Sequence, residues 1–206
     1  PLSFLCSMSH PIQFQNGGPL HSYQRKTVLL DRDKTLNPDP GYINDPNLME
    51  LLPGVVPGLQ KLQSAGFQFI VLTNQSGVSR GLISPEQLYA VNRRLLELLQ
   101  RDYIRIERIY FCPHVDDDGC ACRKPAPGLV DAAVADFQLQ PALTWIIGDR
   151  FRDLACASHL GIPGILVGNE EGEPAGWGDR APGNLKFQES GLNEAADRIL
   201  EVEFDL

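Results

Sequence analysis

The chain has 206 residues, of which 43% are hydrophobic and 21% are charged, and it carries a net charge of -8. This length and composition predict one folded α/β or α+β domain with a full hydrophobic core, and they argue against a largely disordered chain. Because an acidic surface repels nucleic-acid backbones and anionic lipids, we expect neither a nucleic-acid partner nor a membrane partner. A small phosphorylated substrate stays compatible with this charge, since it needs only a local cluster of donors.

The N-terminal segment and the cysteines set further expectations. We predict a tail over residues 1–25 and a single domain over residues 26–206. Three of the five cysteines fall within 11 positions. An odd, clustered set is unlike the disulfide framework of a secreted protein, and it indicates a metal site in a reducing compartment, so we expect a cytoplasmic protein. The sequence does not decide the oligomeric state, and a monomer is expected.

Apolar runs that predict β-strands alternate with helix-like segments along the domain. The predicted strands cover residues 27–30, 67–72, 109–111, 144–147 and 164–167. The predicted helices cover residues 55–65, a segment that begins at Pro85 after an N-cap Ser84, and residues 127–137, 151–160 and 193–202. This alternation predicts an α/β fold with a doubly wound parallel sheet. Residues 168–189 are rich in Gly, Pro and acids, and they are predicted to form an irregular surface excursion.

Two carboxylates follow the first predicted strand directly. Asp31 and Asp33 stand at positions i and i+2, and in an extended segment their side chains point to the same side. With a divalent cation, such a pair can carry out phosphoryl transfer, in which one carboxylate attacks phosphorus and the other handles the proton of the leaving group. Taken alone, the pair is equally well explained as a turn or as surface acids, since short motifs recur by chance.

Three further polar motifs lie at or after later predicted strands. Residues 73–77 end the second strand with hydrogen-bond donors and a glycine, Arg123 and Lys124 supply two cations, and residues 148–153 contain two more acids. Each could be a helix cap or a solvated charge pair. Because the ligand crevice of an open parallel sheet lies at the carboxyl ends of its strands, the four motifs in order predict one phosphate-binding site.

These four motifs, over residues 27–168, resemble those of the haloacid dehalogenase (HAD) superfamily of phosphatases. The resemblance implies a Rossmann-like fold without a large cap domain, and a Mg²⁺-dependent phosphatase that works through an aspartyl-phosphate intermediate. It implies that Asp31 is the nucleophile and Asp33 the general acid/base. The other implied roles are phosphoryl binding by Thr73 and Lys124, Mg²⁺ binding by Asp31, Asp149 and the backbone carbonyl of Asp33, and a supporting role at the metal site for Asp153.

One residue departs from the family pattern, which usually has glycine after the second aspartate. Lys34 stands there in this chain. Because lysine does not adopt a positive φ as readily as glycine, we expect an ordinary backbone at this position and a side chain that points outward. The alternative is that Lys34 adds a cation near the substrate.

A cluster of soft metal ligands precedes the Arg123–Lys124 pair. Cys112, His114, Cys120 and Cys122 form a C-x-H-x5-C-x-C pattern. Three thiolates and one imidazole predict a closed, tetrahedral Zn²⁺ site of the structural type, and chance clustering is the alternative. Such a site would hold the following cations in register, and the acidic residues 116–118 are predicted to form a solvated loop tip.

Within the superfamily, the zinc loop followed by Arg123, Lys124 and Pro125 resembles two enzyme families. Residues 39–43 and 74–81 resemble the phosphatases that remove the 7-phosphate of D-glycero-D-manno-heptose 1,7-bisphosphate, whereas the five-residue zinc-loop spacer resembles histidinol-phosphate phosphatases. We favour the heptose bisphosphate, because pocket-lining segments bear on specificity more directly than loop length does. The substrate site implied by this resemblance consists of Asp39, Pro40, Gly41, Tyr42, Thr73, Asn74, Gln75, Ser76, Arg123, Lys124 and Arg150.

Two alternatives stay open at this point. Arg80 and Arg123 are cations beyond Lys124 that could meet a second phosphate, although Arg80 could equally form an ordinary surface pair. A reading from a different class makes the protein a binding module that uses its zinc loop for recognition. The acidic charge and the lack of an aromatic stacking platform count against nucleic acid as its ligand.

Overall fold

A computed structural model describes residues 25–168 and 181–204 of the chain. In this part of the chain, six strands form one sheet and five α-helices pack against it. The strands are β1 (Thr27–Leu30), β2 (Gln68–Asn74), β3 (Ile106–Cys112), β4 (Thr144–Gly148), β5 (Gly164–Val167) and β6 (Leu185–Glu189). The helices are α1 (Val55–Ser64), α2 (Pro85–Arg101), α3 (Gly128–Phe137), α4 (Phe151–Ala155) and α5 (Leu192–Phe204).

The strand order places β1 at the centre of the sheet. The order is β3-β2-β1-β4-β5-β6, and every neighbouring pair is parallel. The chain therefore builds outward from β1 in one direction, returns to it, and builds outward in the other direction. The predicted doubly wound parallel α/β fold is confirmed, and the crevice of such a sheet opens where the direction reverses, between β1 and β4.

Both faces of the sheet are covered, which explains the continuous apolar runs of its strands. Along β1, Val28 and Leu30 pack into the core that contains residues of α1, α2 and α5. Leu29 points to the opposite face and packs into the core that contains residues of α3 and α4. The polar residues that end β1 are thus held between two cores and can emerge only at the carboxyl edge of the sheet.

Helix α2 begins as its sequence predicts. The Ser84 side chain accepts a hydrogen bond from the Gln87 backbone N–H, and the Gln87 side chain accepts one from the Ser84 backbone N–H. Pro85 occupies the first helical position, where it costs no hydrogen bond. Leu88, Val91, Leu95 and Leu99 form the buried stripe, and one polar residue, Asn92, is buried among them.

Two predictions about the second half of the chain are wrong. Residues 168–189 are not irregular throughout, because Leu185–Glu189 forms the edge strand β6 in parallel with β5. Its exposure alternates along an edge, so its sequence lacks the apolar run of a central strand. The helix predicted over residues 151–160 ends at Ala155, and a separate 3-10 turn covers Ser158–Leu160.

Parts of two predicted segments lie outside the residues that the structure describes. Residues 1–24 of the predicted tail and residues 169–180 lie outside them. Over the residues that are described, no inserted domain follows any of the six strands, as expected for a fold without a large cap. No helix in the same part of the chain is both long enough and apolar enough to cross a membrane.

Candidate active site

A pocket of about 290 Å³ lies at the carboxyl ends of β1, β2 and β4. It brings together most of the residues that the four motifs predict. The predicted residues in its lining are Asp31, Asp33, Asp39, Gly41, Tyr42, Thr73, Asn74, Gln75, Ser76, Arg123, Asp149 and Arg150. Two predicted residues are not in the lining: Pro40 is exposed outside it, and Lys124 is buried beneath Asp31. The lining also contains Asp153, to which the resemblance gives a supporting role, and Lys34 and Arg80, which are the open alternatives as cations near the substrate. The residues that the structure adds are Arg32, Ile43 and Arg152.

The floor of the pocket is a cluster of three acids and one lysine, in which Asp31, Asp153 and Lys124 are buried and Asp149 is partly exposed. The Lys124 ammonium is 2.5 Å from Asp31 Oδ1 and 2.8 Å from Asp153 Oδ1, and it donates to the Leu72 carbonyl at 2.7 Å. One oxygen each from Asp31, Asp149 and Asp153 lies within 4.8 Å of the others. Lys124 is only 2% exposed, so water contributes little to the balance of these charges.

Burial makes the negative charge of this cluster costly. Desolvation is the main cause that raises the pKa of Asp31 to about 7, and it outweighs the attraction of Lys124. Desolvation, together with repulsion from Asp31 and Asp153, raises the pKa of Asp149 to about 8. Burial alone would lower the pKa of Lys124, but Asp153 and Asp31 raise it. One ammonium thus faces three acids, and carboxylate oxygens in this arrangement are ligands suited to a divalent cation such as Mg²⁺.

Asp33 faces a different environment from the three clustered acids. Both of its carboxylate oxygens accept hydrogen bonds from the Arg32 guanidinium, one accepts from Asn37 at 3.0 Å, and the other accepts from Gln75 at 2.7 Å. Burial alone would raise the pKa of Asp33, but the charge of Arg32 and these hydrogen bonds lower it. The two aspartates of one motif therefore lie in different environments: burial raises the pKa of Asp31, whereas Arg32 and the surrounding hydrogen bonds lower the pKa of Asp33.

The backbone at Lys34 contradicts its sequence-based prediction. Lys34 has a φ of 62°, in the left-handed region that glycine adopts without cost. The turn that follows β1 requires this conformation, because the Lys34 N–H donates to the Asn37 carbonyl at 2.7 Å and the Leu36 N–H donates to the Arg32 carbonyl at 2.8 Å. The expectation of an ordinary backbone here is wrong. Lys34 is exposed and belongs to the pocket lining, which supports the alternative of an added cation.

The end of β2 fixes the position of Lys124. The Asn74 side chain donates to the Lys124 carbonyl at 3.0 Å and accepts from the Lys124 N–H at 3.1 Å. Beside it, Gln75 donates to Thr73 Oγ1 at 2.9 Å. Because that bond uses a lone pair of the Thr73 oxygen, the Thr73 hydroxyl proton stays available for another acceptor.

The four predicted zinc ligands converge at one point. The sulfur–sulfur distances among Cys112, Cys120 and Cys122 are 3.6, 3.2 and 3.6 Å. His114 Nδ1 is 3.5 Å from the sulfur of Cys112 and 3.4 Å from that of Cys122. Four ligands around a tetrahedral Zn²⁺ with bond lengths of about 2.0–2.3 Å are separated by roughly 3.5–3.8 Å. The donor set fits zinc with imidazole bound through Nδ1, and all the distances except the 3.2 Å between Cys112 and Cys122 lie close to this range.

The zinc loop is attached to the phosphate-site residues by its backbone. The Gln75 N–H donates to the Cys112 carbonyl at 2.7 Å, and the Arg123 side chain donates to the His114 carbonyl at 3.2 Å. Arg123 also pairs with Asp116, whose side chain is 79% exposed. The predicted loop tip is therefore exposed, as expected, but one of its acids is the ion-pair partner of a pocket arginine.

Sequence comparisons agree with this geometry. A family model described as HAD-hydrolase-like matches residues 121–183, and one described as polynucleotide kinase 3 phosphatase matches residues 30–149. A D-glycero-beta-D-manno-heptose-1,7-bisphosphate 7-phosphatase of Haemophilus ducreyi is 35% identical over 145 residues, covering 67% of this chain and 80% of the relative. The histidine biosynthesis bifunctional protein HisB of Legionella pneumophila is 34% identical over 140 residues, covering 67% of this chain and 40% of that protein.

A solved structure extends the match to three dimensions. The D,D-heptose 1,7-bisphosphate phosphatase of B. bronchiseptica, complexed with magnesium and phosphate, has a TM-score of 0.77 and 32% sequence identity. The match covers 86% of this chain and 99% of that structure. The chain belongs to the HAD superfamily of phosphatases. The predicted family and the predicted enzyme class, a phosphoric monoester hydrolase, are both confirmed.

The charge imbalance in this HAD phosphatase gives a stability prediction. Asp149→Asn removes one of three mutually repelling acids, so we expect the Mg²⁺-free protein to gain at least about 1 kcal/mol at pH 8, or about 2–4 °C in Tm. The pKa of Asp149 is higher in the folded state than in the unfolded state. Its negative charge therefore destabilises the folded protein by an amount that grows as pH rises from about 4 through about 8. The gain should therefore shrink as pH falls from 8 to 5, and thermal unfolding at both pH values measures it.

The matched control is Asp117→Asn, which makes the same change in charge at an exposed position of the zinc-loop tip. It should change Tm by less than about 1 °C at either pH, in keeping with an exposed position. An Asp149→Asn protein that is no more stable than wild type at pH 8 would contradict the charge imbalance.

Proposed function

We propose that this HAD phosphatase hydrolyses the 7-phosphate of D-glycero-D-manno-heptose 1,7-bisphosphate in the presence of Mg²⁺. The observation that carries the proposal is a pocket whose floor holds Asp31 paired with a buried lysine, and whose lining adds several guanidinium groups. The names of the Haemophilus ducreyi and B. bronchiseptica relatives support the same substrate.

In the proposed first step, Asp31 attacks the phosphorus atom and the bond between phosphorus and the sugar oxygen breaks. Asp33 gives a proton to the departing oxygen, and the phosphoryl group is left on Asp31. In the second step, water attacks the phosphorus atom, the bond between phosphorus and the Asp31 oxygen breaks, and inorganic phosphate is released. Asp33 takes a proton from the attacking water, which restores the proton that it gives in the first step. The Thr73 hydroxyl and the Lys124 ammonium are the donors that would hold the phosphoryl oxygens, since Lys124 already contacts Asp31 and the Thr73 proton is available.

The Mg²⁺ ligands in this proposal are the side chains of Asp31 and Asp149 and the backbone carbonyl of Asp33. The bound ion would offset the repulsion between the anionic nucleophile and the anionic substrate. Asp153 supports the site from behind, because its Oδ1 pairs with Lys124 and its Oδ2 accepts from the Arg150 N–H at 3.0 Å. With both oxygens engaged, Asp153 orients the lysine and the start of α4.

A second phosphate has candidate partners on the pocket wall. Arg80, Arg123, Arg150 and Arg152 all belong to the lining. Arg123 is the best ordered of them, because Asp116 and the His114 carbonyl hold its guanidinium in place and its side chain is only 12% exposed. A guanidinium held in this way loses little entropy when it binds a phosphate through two parallel hydrogen bonds.

The first test is phosphate release with Mg²⁺ present, comparing heptose 1,7-bisphosphate with histidinol phosphate for wild type and Asp31→Asn. We expect a preference of more than tenfold in kcat/KM for the bisphosphate, equivalent to about 1.4 kcal/mol of transition-state binding. Asp31→Asn should abolish turnover while the fold survives. The reverse preference would favour the histidinol-phosphate alternative, to which the similarity to HisB also points. Turnover that survives Asp31→Asn would contradict the proposed nucleophile.

The role of Arg123 gives a sharper prediction about specificity. Arg123→Ala should lower kcat/KM for heptose 1,7-bisphosphate by about tenfold or more, because a charge-assisted pair to phosphate is worth roughly 1.5–3 kcal/mol. It should lower kcat/KM for heptose 7-phosphate much less. Arg101→Ala, which removes an exposed arginine at the end of α2, serves as the control and should change neither. An equal loss on both substrates would place Arg123 at the reacting phosphate instead.

The zinc loop also forms part of the proposal, as a structural Zn²⁺ site that keeps Arg123 and Lys124 in register. The wild-type protein, purified without chelator, should carry about one equivalent of zinc, and Cys120→Ser should carry much less. The Tm and the turnover of Cys120→Ser should both be lower than those of wild type, because the zinc loop is hydrogen-bonded to the end of β2. Cys156→Ala, a buried cysteine outside the cluster, should keep the zinc. A wild-type zinc content below about half an equivalent would overturn the site.

A further inference from the structure

A buried asparagine interrupts the apolar stripe of helix α2. Asn92 is 0% exposed and lies between Val91 and Leu95 on the face that packs into the core. Its Oδ1 accepts a hydrogen bond from Arg32 Nη1 at 2.8 Å, and its Nδ2 has no hydrogen-bond partner among the described residues. Burying a half-satisfied amide is unfavourable, so its single hydrogen bond to Arg32 is the feature that sets it apart from an apolar residue here.

Arg32 links this asparagine to the active site. The Arg32 side chain is 1% exposed, and its guanidinium is divided between two partners. Nη1 donates to Asn92, while Nε and Nη2 donate to the Asp33 carboxylate at 2.9–3.0 Å. A guanidinium is planar, so a contact that fixes Nη1 also fixes the plane in which the other nitrogens meet the carboxylate.

The carboxylate of Asp33 is consequently held in one orientation. Besides the Arg32 contacts, Asn37 donates to its Oδ1 at 3.0 Å and Gln75 donates to its Oδ2 at 2.7 Å. Asn37 lies in the turn after β1 and Gln75 directly follows β2, so these two contacts tie Asp33 to neighbouring segments at the edge of the sheet. Asn92 belongs to a 17-residue helix packed in the core, so the contact through Arg32 ties Asp33 to a further rigid element, which lies outside the sheet.

We infer that Arg32 and Asn92 are positioning residues for Asp33: Asn92 sets the plane of the Arg32 guanidinium, and Arg32 sets the orientation of the Asp33 carboxylate. The inference rests on the proposed role of Asp33 as the general acid/base. Asn92 is not in the pocket lining, and among the described residues its side chain reaches Asp33 through its hydrogen bond to Arg32. Sequence reasoning gives no sign of this role, since it depends on a contact between residues 60 positions apart.

Substrates with different leaving groups can distinguish a misplaced Asp33 carboxylate from a general loss of activity. When the bond between phosphorus and oxygen breaks, the electron pair goes to the departing oxygen. An alkoxide from a sugar phosphate needs the proton of Asp33 at that moment, whereas the nitrophenolate of 4-nitrophenyl phosphate is a stable anion and does not. A misplaced Asp33 should therefore slow the first step for the alkyl phosphate and spare it for the nitrophenyl ester.

The experiment compares kcat/KM for heptose 1,7-bisphosphate and 4-nitrophenyl phosphate in Mg²⁺-containing buffer. Asn92→Leu should lower kcat/KM for the bisphosphate at least tenfold and for the nitrophenyl ester less than threefold. Arg32→Lys should show the same pattern, because an ammonium group cannot bind Asn92 and Asp33 in one plane as a guanidinium does. This second variant tests the inference even if Asn92→Leu fails to fold. Leu99→Val, two turns along the same buried face, is the control and should change both substrates equally or not at all.

Asp33→Asn separates failure of this inference from failure of the proposed function. If Asp33→Asn shows the leaving-group pattern while Asn92→Leu and Arg32→Lys affect both substrates alike, the positioning role is overturned and the proposed function stands. If Asp33→Asn itself lacks the pattern, or if wild type hydrolyses neither substrate, the proposed function is overturned and this inference falls with it.

Discussion

The active site depends on one buried ammonium group. Lys124 lies between Asp31 and Asp153 at 2.5 and 2.8 Å and is almost completely excluded from water. Without it, the carboxyl end of β1 would place uncompensated acids against two apolar cores, which costs several kcal/mol per charge. Its other contact, the Leu72 carbonyl, belongs to β2, so the same group joins three segments of the chain. The residues around the site hold the Lys124 ammonium between Asp31, Asp153 and the Leu72 carbonyl.

Two devices hold the lysine in place. The Asn74 amide pairs with both backbone groups of Lys124, in the way that one strand pairs with the next. The zinc loop controls the direction from which the chain arrives, because it begins at Cys112, returns at Cys122 and is bonded to the end of β2 through Gln75. The loop that holds Cys112, His114, Cys120 and Cys122 thereby helps to fix the position of Lys124 through its backbone contacts.

The sequence predicted those features of the fold and the site that depend on residues close together in the chain. Continuous apolar runs located the five buried strands, and polar residues at their ends located the pocket, because a parallel sheet gathers strand ends at one edge. Strand β6 was not predicted, because it is an edge strand and its five residues alternate between partly buried and exposed instead of forming an apolar run. The positive φ of Lys34 was not predicted either, because the turn between Arg32 and Asn37 determines the backbone there more strongly than residue preference does. The Asn92–Arg32 contact is a matter of side-chain direction across 60 positions, which no local pattern contains.

The strand order has a consequence for how the protein is made. The first three strands in sequence, β1 to β3, already form one side of the sheet, with β1 at its open edge. The partner that covers this edge, β4, begins only at Thr144. During synthesis, the most buried strand of the sheet is therefore an exposed apolar edge until β4 has been made, and such edges invite pairing with other chains. Strand β1, which leads directly into Asp31, is thus also a strand whose second partner is made only after β2 and β3.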